Sequence, residues 1–291
     1  MTAKLIDGVA IARSVRVGIA ERASALKARG VNPALTVILV GDDPASAIYV
    51  RNKVRACAEV GIKSEVVRLP GDIAERQLLE RIRALNEMPS VHGILVQLPL
   101  PRHISVRRVV ETISAGKDVD GFHLYNVGGL VIGQTVFPPC TPYGVQKILE
   151  HEGIELEGKN VTVVGASNIV GKPLALMLMQ REATVAICHA KTRDLTQYTI
   201  LADILVVAAG SPNLIVPAMV RTGAVVIDVG INFVDGRLVG DVDFEGVRRK
   251  ASYITPVPGG VGPMTVTMLL ENTVAAAERA TASAKLQSVD A

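Results

Sequence analysis

The stretch "NVTVVGASNIVGKPLALMLMQRE", residues 160–182, opens with an apolar run, passes through a glycine turn and ends in a longer apolar segment. A short run rich in Val is typical of a buried strand, and the segment after the turn is long enough for a helix. The stretch therefore predicts a strand, a tight turn and a helix in succession, which is the start of a βαβ unit.

Comparable runs lie on both sides of this stretch and alternate with helix-like segments. Those before it are "LTVILVG", "SEVVRL" and "VHGILVQLPL", and those after it are "ATVAICH", "DILVVAAG" and "AVVIDVG". Continuous runs of Val, Ile and Leu between helices indicate parallel strands that are covered on both faces. The sequence therefore predicts an α/β fold with two α/β domains flanking a cleft, the second of them Rossmann-like with a parallel sheet.

The predicted domain boundary falls in residues 118–142, "DVDGFHLYNVGGLVIGQTVFPPCTP", which are irregular and rich in Gly and Pro. The first domain is expected to cover residues 1–140 and the second residues 141–263, both within the usual size of a domain. A last helix, residues 264–283, follows the second series and is expected to pack back on the first domain. Because ligands of such sheets bind at the carboxyl ends of the strands, the cleft between the domains is the predicted site.

The composition excludes several classes of protein. With 291 residues, a formal net charge of +3, no Trp and 3% aromatic residues, the chain lacks the basic, aromatic surface of a single-strand nucleic-acid binder. No apolar run approaches the length that spans a bilayer, and "MTAKLIDGVAIARSV" lacks the features of a secretory signal. The sequence predicts a cytoplasmic protein that binds neither nucleic acid nor membrane.

The cysteines and histidines do not indicate a metal site. Cys57, Cys140 and Cys188 are far apart and odd in number, which argues against a disulfide framework and against a zinc cluster. The five His residues never fall at metal-ligand spacing. No metal is therefore expected.

The glycine turn of the opening stretch partly matches the GxGxxG fingerprint of dinucleotide-binding proteins. Gly165 ends the strand and Gly171 lies at the helix start, whereas Ser167 replaces the middle Gly and the last Gly comes one residue late. The N–H groups at a helix N-terminus after a strand bind phosphate readily, so the βαβ context favours a dinucleotide. The alternative is an ordinary strand-to-helix turn.

The end of the next strand bears on which dinucleotide is bound. NAD-binding domains usually place Asp or Glu there to accept the ribose 2′-OH. In "CHAKTRD" the residues His189, Lys191 and Arg193 come before any acid. Cationic groups at this point suit a 2′-phosphate and favour NADP, and the alternative is a basic loop in water.

The segment "DDPASAIYVRNKVRACAEVGI", residues 42–62, predicts a helix with an unusual lysine. Asp43 can cap it, Pro44 can take the first helical position and Gly61 can end it. Tyr49 and Lys53 are four residues apart and are expected at the edge of an apolar stripe. That stripe would consist of Ala47, Val50, Val54 and Ala58. Taken alone, such a lysine is more commonly one whose stem covers apolar surface than a catalytic group.

Two irregular segments also contain candidate binding residues. In "KDVDGFH" two acids separated by one residue can accept hydrogen bonds from a heterocycle, or can simply stabilise a turn beside Gly. "ITPVPGGVGPMT", residues 254–265, is rich in Gly and Pro and either lines a flat ligand or is a long loop.

Eight motifs in this order resemble one enzyme family over nearly the whole chain. They are "YVRNK", "VQLPLP", "KDVDGFH", "PCTP", "GASNIVGKP", "VIDVGIN", "GDVDF" and "ITPVPGGVGPMT". The chain is similar to the bifunctional methylenetetrahydrofolate dehydrogenase/cyclohydrolase family, and "QLPLP" and "PVPGGVGPMT" are the most specific of its signatures.

The resemblance implies a set of catalytic and folate-binding residues. Lys53 is the implied catalytic residue, Gln97 holds it in place, and Tyr49 acts with them by packing on the pteridine and aminobenzoate region. Asp120 is implied to bind the pterin ring. The implied lining of the folate pocket is Gly259, Gly260, Val261, Gly262 and Pro263.

The resemblance also implies cofactor contacts. Gly165, Ala166 and Ser167 match the cofactor phosphate turn, and Ile231 matches a further cofactor contact. Some relatives carry Arg where this chain has Ala166 and Ser where it has Ala190, so Lys191 and Arg193 are the expected partners of the 2′-phosphate.

The implied reaction has two steps. NADP takes a hydride from 5,10-methylenetetrahydrofolate, a step that depends mainly on positioning, and water then opens the methenyl product to 10-formyltetrahydrofolate. Lys53 is suited to the proton transfers of the second step. The resemblance implies a homodimer. One alternative is a dehydrogenase without the hydrolytic step, and the presence of Lys53 argues against it. The other is a nucleotide-sensing protein without turnover, and the set of Tyr49, Lys53, Gln97 and Asp120 argues against it.

Overall fold

The structure, a computed structural model, describes the backbone of residues 2–289 and the side-chain environments up to residue 282. The chain divides into two compact units. The six-stranded unit comprises Met1–Arg13 and Pro139–Thr265, and the three-stranded unit comprises Ser14–Pro138 and Val266–Ala291.

The described residues form both strands and helices. The strands are β1 (Lys4–Leu5), β2 (Ala34–Val40), β3 (Lys63–Leu69), β4 (Gly93–Val96), β5 (Asn160–Val164), β6 (Thr184–Cys188), β7 (Ile204–Val207), β8 (Val225–Asp228), β9 (Asn232–Val234), β10 (Arg237–Val239) and β11 (Tyr253–Ile254). The helices are α1 (Gly8–Ala28), α2 (Pro44–Glu59), α3 (Glu75–Asn86), α4 (Val106–Thr112), α5 (Leu124–Ile132), α6 (Cys140–His151), α7 (Gly171–Met179), α8 (Thr196–Thr199), α9 (Phe244–Arg248) and α10 (Val261–Val289). A short 3-10 helix covers Pro217–Met219.

The six-stranded unit is built on a parallel sheet with the strand order β1-β11-β8-β7-β5-β6. The inner strands β7 and β8 are buried along their whole length, as the continuous apolar runs predict. Their side chains pack with those of neighbouring elements into one core, which includes Val164, Leu205, Val226, Val247 and Ile254. The predicted α/β class with a parallel sheet is confirmed.

The three-stranded unit has a parallel sheet with the order β3-β2-β4. The register pairs Ile38 of β2 with Val96 of β4. The carboxyl ends of these two strands therefore lie side by side, and each is followed by a segment with a candidate catalytic residue. The core beneath them includes Ile38, Leu78, Ile82, Ile94 and Val109.

Helix α2 begins and ends where the sequence predicts. The Asp43 carboxylate accepts a hydrogen bond of 2.7 Å from the Ser46 amide, and Pro44 occupies the first turn. At the other end Gly61 takes a positive φ of 78°, which a residue with a Cβ seldom adopts.

The predicted apolar stripe of α2 is wrong in register. The buried residues are Ser46, Val50, Ala56 and Cys57, whereas Ala58 is exposed and Ala47 and Val54 are half-buried. Lys53 is three residues after Val50 and four before Cys57, so it falls on the buried line of the helix. The small side chains of Ala and Ser carry too little hydrophobic signal to place this line from sequence.

The domain assignment of the first residues and the start of the last helix differ from the prediction. That division assigned residues 1–140 to the first domain, whereas Lys4 pairs with Tyr253 of β11 in the six-stranded sheet. A two-residue strand has no periodicity by which the sequence could reveal it. The last helix begins at Val261 rather than at residue 264, because Pro263 is tolerated in a first turn.

Beyond Thr265, helix α10 contacts residues of the three-stranded unit. The Asn272 side-chain amide donates to the carbonyl oxygens of Val119 and Pro138, at 2.9 and 3.0 Å. Among the described residues, no helix combines the length and apolarity that a membrane crossing requires.

Candidate active site

In the three-stranded unit, Lys53 of α2 lies against the residue that follows β4. Lys53 Nζ donates to Gln97 Oε1 at 2.9 Å. Gln97 is itself fixed, because its side-chain amide donates to the Leu98 carbonyl at 2.7 Å and its backbone amide donates to Ile38 at 2.9 Å. The amide oxygen is thereby directed at the lysine, and the predicted pairing of Lys53 with Gln97 is present.

The charge of Lys53 is not neutralised by a nearby acid. Lys53 is half-buried and forms no ion pair with any residue of the described chain. Tyr49, one turn earlier, is 41% exposed and presents its ring to solvent. An amine held by one neutral acceptor beside an exposed ring leaves its remaining N–H donors for a ligand.

The two acids of "DVDG" have different environments. A parallel bridge pairs Asp118 with Ile94, so this segment runs beside β4. Asp118 is buried, and its carboxylate accepts from the His123 amide at 2.7 Å and from the Asn126 side chain at 2.8 Å. Asp120 is half-buried. Asp118 is therefore the residue that shapes the turn, and Asp120 is the acid with an exposed face.

Lys117 anchors the same segment, a feature that the sequence analysis missed. Its Nζ donates to the carbonyl oxygens of Leu85, Asn86 and Met88, at the end of α3 and just beyond it. Burial lowers the pKa of Lys117 from its ordinary value. No sequence motif identifies a lysine that binds the last carbonyl groups of a distant helix, so this role could not be predicted.

The Cys57 thiol on α2 is fully buried. Burial raises the pKa of this thiol to about 12, even though it lies one turn after Lys53. A neutral, buried thiol packs as a small apolar side chain and contributes no thiolate chemistry.

In the six-stranded unit the predicted phosphate turn is a close crossing of backbone segments. Gly165 has φ of 123°, and a Cβ on it would lie 2.1 Å from the Ala208 carbonyl oxygen. A Cβ on Gly171 would lie 1.8 Å from the Gly165 carbonyl oxygen. Ser167 Oγ accepts from the Gly171 amide at 3.4 Å at the start of α7. Gly171 therefore performs the packing role of the last fingerprint glycine despite its shifted position.

The cationic loop lies beside this turn. The Gly165 amide donates to the Cys188 carbonyl at 2.9 Å, and the loop from His189 onward follows directly. The His189 ring accepts from the Lys191 amide at 3.2 Å, which tightens the loop. Lys191 and Arg193 are exposed, and neither forms an ion pair in the described chain. Both charges therefore remain for an anion.

Ile231 and the "PVPGG" segment belong to the same edge of the sheet. Ile231 follows β8 and is exposed. Gly259 follows β11 with φ of 105°, and a Cβ on Gly8 would lie 1.8 Å from the Gly260 carbonyl oxygen. Of the predicted folate loop, the last three residues form the first turn of α10. The sequence analysis missed the loop at residues 208–211, which follows β7 at this edge.

The predicted site residues thus lie in segments that follow the carboxyl ends of parallel strands, with Tyr49 and Lys53 on the helix that comes after β2. Tyr49, Lys53, Gln97 and Asp120 belong to the three-stranded unit. The cofactor candidates and the Gly-rich folate segment belong to the six-stranded unit. Carboxyl edges of parallel strands are the usual ligand sites of α/β proteins.

Two family profiles match this chain. "Tetrahydrofolate dehydrogenase/cyclohydrolase, catalytic domain" matches residues 6–120, and "Tetrahydrofolate dehydrogenase/cyclohydrolase, NAD(P)-binding domain" matches residues 139–281. The chain belongs to this family. The bifunctional protein FolD of Bordetella bronchiseptica is 59% identical over 283 residues, which cover 97% of this chain and 100% of that protein.

Solved structures of the FolD family share the fold. The bifunctional enzyme of Campylobacter jejuni matches with a TM-score of 0.94 and 53% identity, over 95% of this chain and 99% of that one. The Trypanosoma brucei dehydrogenase-cyclohydrolase, described as complexed with NADP cofactor and inhibitor, matches with a TM-score of 0.93 and 39% identity, over 97% and 99%. The predicted family, the Rossmann-like second domain, the paired activities and a nicotinamide dinucleotide cofactor are confirmed.

Proposed function

We propose that this FolD-family enzyme oxidises 5,10-methylenetetrahydrofolate with NADP and hydrolyses the methenyl product to 10-formyltetrahydrofolate, with Lys53 as the proton-transfer residue. The observation that carries the proposal is the bond of 2.9 Å from Lys53 Nζ to Gln97 Oε1. A neutral acceptor fixes the amine without neutralising its charge, which suits a group that has to exchange protons.

The dehydrogenase step depends on orientation. NADP, when bound, accepts the hydride from the methylene carbon. The chain's own residues hold the two reactants: Tyr49 supplies an exposed ring for the pteridine region, and Asp120 accepts hydrogen bonds from the pterin N–H groups. The close backbone crossing at Gly165 and Gly171 leaves an edge that the pyrophosphate can approach, so the residues present fit the cofactor.

The hydrolytic step requires protons to move. Water adds to the methenyl carbon, and the bond from that carbon to one ring nitrogen then breaks, leaving the formyl group on the other nitrogen. Lys53 Nζ, in its neutral amine form, takes one proton from the attacking water and delivers it to the departing nitrogen. The second water proton is released to solvent as the formyl carbonyl forms. Gln97 keeps Nζ at one position during the transfer, because its own side chain is bonded at both ends.

NADP is proposed over NAD on the basis of charge. Lys191 and Arg193 follow β6, directly beside the phosphate turn, and no acid precedes them in the loop. The related enzyme of Trypanosoma brucei was solved with NADP. Two cations that form no ion pair within the described residues suit a 2′-phosphate, which carries negative charge.

One assay tests the proposed function. Purified protein is mixed with 5,10-methylenetetrahydrofolate and either NADP or NAD, and the methenyl absorbance is followed in time. Both activities together predict a rise and then a decay faster than spontaneous hydrolysis. A rise that decays only at the spontaneous rate would leave the dehydrogenase alone and support the monofunctional alternative.

A homodimer is proposed through the exposed edge of the six-stranded sheet. Strand β6 is an edge strand, and unpaired edges invite pairing with another chain. Ile187 on this strand and Tyr198, Ile200 and Leu201 nearby are exposed, with Leu201 66% exposed. Pairing of the same edge in two copies closes a two-fold dimer and buries these apolar side chains.

Light scattering tests the dimer. The parent protein should have the mass of two chains at micromolar concentration, and Leu201→Asp should shift it toward the monomer. Leu238→Asp, at another exposed apolar site, is the matched control and should remain dimeric. A monomeric parent, or equal effects of both substitutions, would contradict this interface.

A cytoplasmic location is also proposed. Cys57, Cys140 and Cys188 are free and buried, as expected for a protein of a reducing compartment. Fractionation of the producing cells with an antibody to the protein would test this, and recovery outside the cytoplasm would contradict it.

A further inference from the structure

Two buried carboxylates lie at the cofactor edge of the six-stranded unit, and the mechanism above does not use them. Asp228 ends β8 and is 3% exposed, and Asp241 lies in "GDVDF" and is fully buried. Acids are seldom buried to this degree unless they bind donors, because desolvation of a charge is costly. The donors of these two acids are therefore informative.

Asp241 binds the loop that follows β7. One carboxylate oxygen, Oδ2, accepts from the amides of Ala209 and Gly210 at 2.6 and 2.8 Å. The other, Oδ1, accepts from the Ser211 amide at 2.9 Å and from the Asn232 side chain at 2.8 Å. Three successive backbone N–H groups thus converge on one carboxylate, a set of charge-assisted bonds that holds the loop in one conformation.

Asp228 holds the other side of the same edge. Its Oδ1 accepts from the amides of Gly230 and Asp241 at 2.9 and 3.0 Å, and its Oδ2 accepts from Val242 at 3.0 Å. Ile231 lies between Gly230 and Asn232, which are bonded to the two carboxylates. The proposed cofactor contact is therefore clamped on both sides.

The backbone is fitted closely around the carboxylates. A Cβ on Gly230 would lie 2.3 Å from Asp241 Cγ, and a Cβ on Gly240 would lie 1.8 Å from Asp228 Oδ2. Neither glycine has a positive φ. Glycine is therefore required at these positions because a Cβ would clash with a carboxylate, and not because of the backbone conformation. This arrangement has no room for a longer or displaced acid.

The clamped loop touches the phosphate turn. The Ala208 carbonyl, just before the three bonded amides, is the group that a Cβ on Gly165 would strike at 2.1 Å. We infer that Asp241 is a positioning residue for the nicotinamide cofactor, which holds residues 209–211 and Ile231 at the spacing that the bound dinucleotide requires. The inference rests on the cofactor roles proposed for Gly165 and Ile231.

The enzyme's two activities provide the test, because hydrolysis of methenyltetrahydrofolate consumes no cofactor. Asp241→Asn keeps the size of the side chain but places an NH₂ group against amide donors. We expect KM for NADP to rise about tenfold to a hundredfold, as loss of several charge-assisted bonds implies. Hydrolysis of methenyltetrahydrofolate supplied without NADP should remain within about twofold of the parent rate.

Asp243→Ala is the matched control. This carboxylate accepts from the Gly246 amide and caps α9, two residues beyond Asp241. Its removal destabilises the same segment without touching the loop at residues 209–211. We expect a lowered Tm with an unchanged KM for NADP, which separates positioning from stability alone.

Asn232→Ala is a second variant that tests the inference if Asp241→Asn does not fold. It removes one of the four bonds to Asp241 and should raise KM for NADP by a smaller factor, about threefold to tenfold. Unchanged KM in both folded variants, or equal loss of both activities, would overturn the inference. Calorimetric titration measures the affinity for NADP without turnover. A parent protein that does not hydrolyse methenyltetrahydrofolate would contradict the proposed function, but the effect of the substitutions on NADP affinity could still be measured.

Discussion

The candidate sites of the two units differ in what they are made of. In the three-stranded unit the site consists of side chains, with Lys53 bonded to Gln97 and Tyr49 exposed one turn away. In the six-stranded unit it consists mainly of backbone, which crosses closely at Gly165 and is held by the carboxylate of Asp241.

The difference matters for how each site responds to substitution. A side-chain site loses its function when one functional group is removed, while the fold around it is little changed. A backbone site has no single functional group, so it is damaged only through the residues that fix its conformation. The chemical step should therefore respond most to changes in the three-stranded unit, and cofactor binding to buried changes in the six-stranded unit.

The largest expected effect is at Lys53. Lys53→Met should lower the rate of methenyltetrahydrofolate hydrolysis by a factor of about 10² to 10⁴, because a general acid/base is removed while the stem that packs on the helix is retained. The rate is measured by the decay of the methenyl absorbance, with the spontaneous reaction subtracted.

Arg51→Met is the control for this prediction, since it removes an exposed cation two residues away on the same helix. It should leave hydrolysis unchanged. If Lys53→Met retained the parent rate, Lys53 would be a packing residue. The site of the three-stranded unit would then not depend on this side-chain amine, which contradicts the contrast drawn between the two units.

The next effect concerns the buried carboxylates and pH. Burial is the main cause that raises the pKa of Asp228 from its ordinary 3.8 to about 6, and the facing Asp241 adds to the rise. Between these values the folded protein binds the proton that the unfolded chain has released. The contribution of Asp228 to stability is therefore largest at low pH and falls as pH rises toward 6, by on the order of 3 kcal/mol in total.

Urea unfolding of the parent and of Asp228→Asn between pH 4 and pH 7 measures this contribution. The free energy of unfolding of the parent relative to the variant should fall by on the order of 2 kcal/mol across the range. Asn232→Ala keeps both carboxylates, so its curve should run parallel to the parent. If the curve of Asp228→Asn also ran parallel to that of the parent, the Asp228 carboxylate would make no contribution to the pH dependence of the free energy of unfolding.

The smallest expected effect is the choice of cofactor. Lys191→Ala or Arg193→Ala should lower the ratio of kcat/KM for NADP to kcat/KM for NAD by about tenfold. The effect is small because exposed cations contribute little to the binding of the 2′-phosphate. Lys159→Ala, an exposed lysine just before the amino end of β5, should leave the ratio unchanged. A parent that prefers NAD would contradict the assignment of the 2′-phosphate to this loop.

The side-chain site was largely predictable from sequence. Tyr49, Lys53 and Gln97 occur in motifs, and the cap of α2 at Asp43 was readable from residues three apart. The register of the buried line on α2 was not, because Ser46 and Ala56 have little hydrophobic signal. The line could be placed only once the helix was packed on β2, and it then included Lys53.

The backbone site shows the limit of sequence reasoning more clearly. "GDVDF" was noticed as a motif, but nothing in it indicated a role for Asp241. The amides that bind its carboxylate lie 30 to 32 residues earlier and belong to residues of unremarked type. A backbone N–H is present at every such position, so only its placement makes it a partner.

The sequence by itself determined the α/β class, the strand runs, the caps of α2 and the family, because these depend on periodicity and on residues close in the chain. The tertiary structure alone decided that β1 joins β11 and that Gly171 packs on Gly165. It also decided that Asp241 binds a loop on a neighbouring strand. These features depend on which distant segments meet, and that is settled by burial of the whole core rather than by any local pattern.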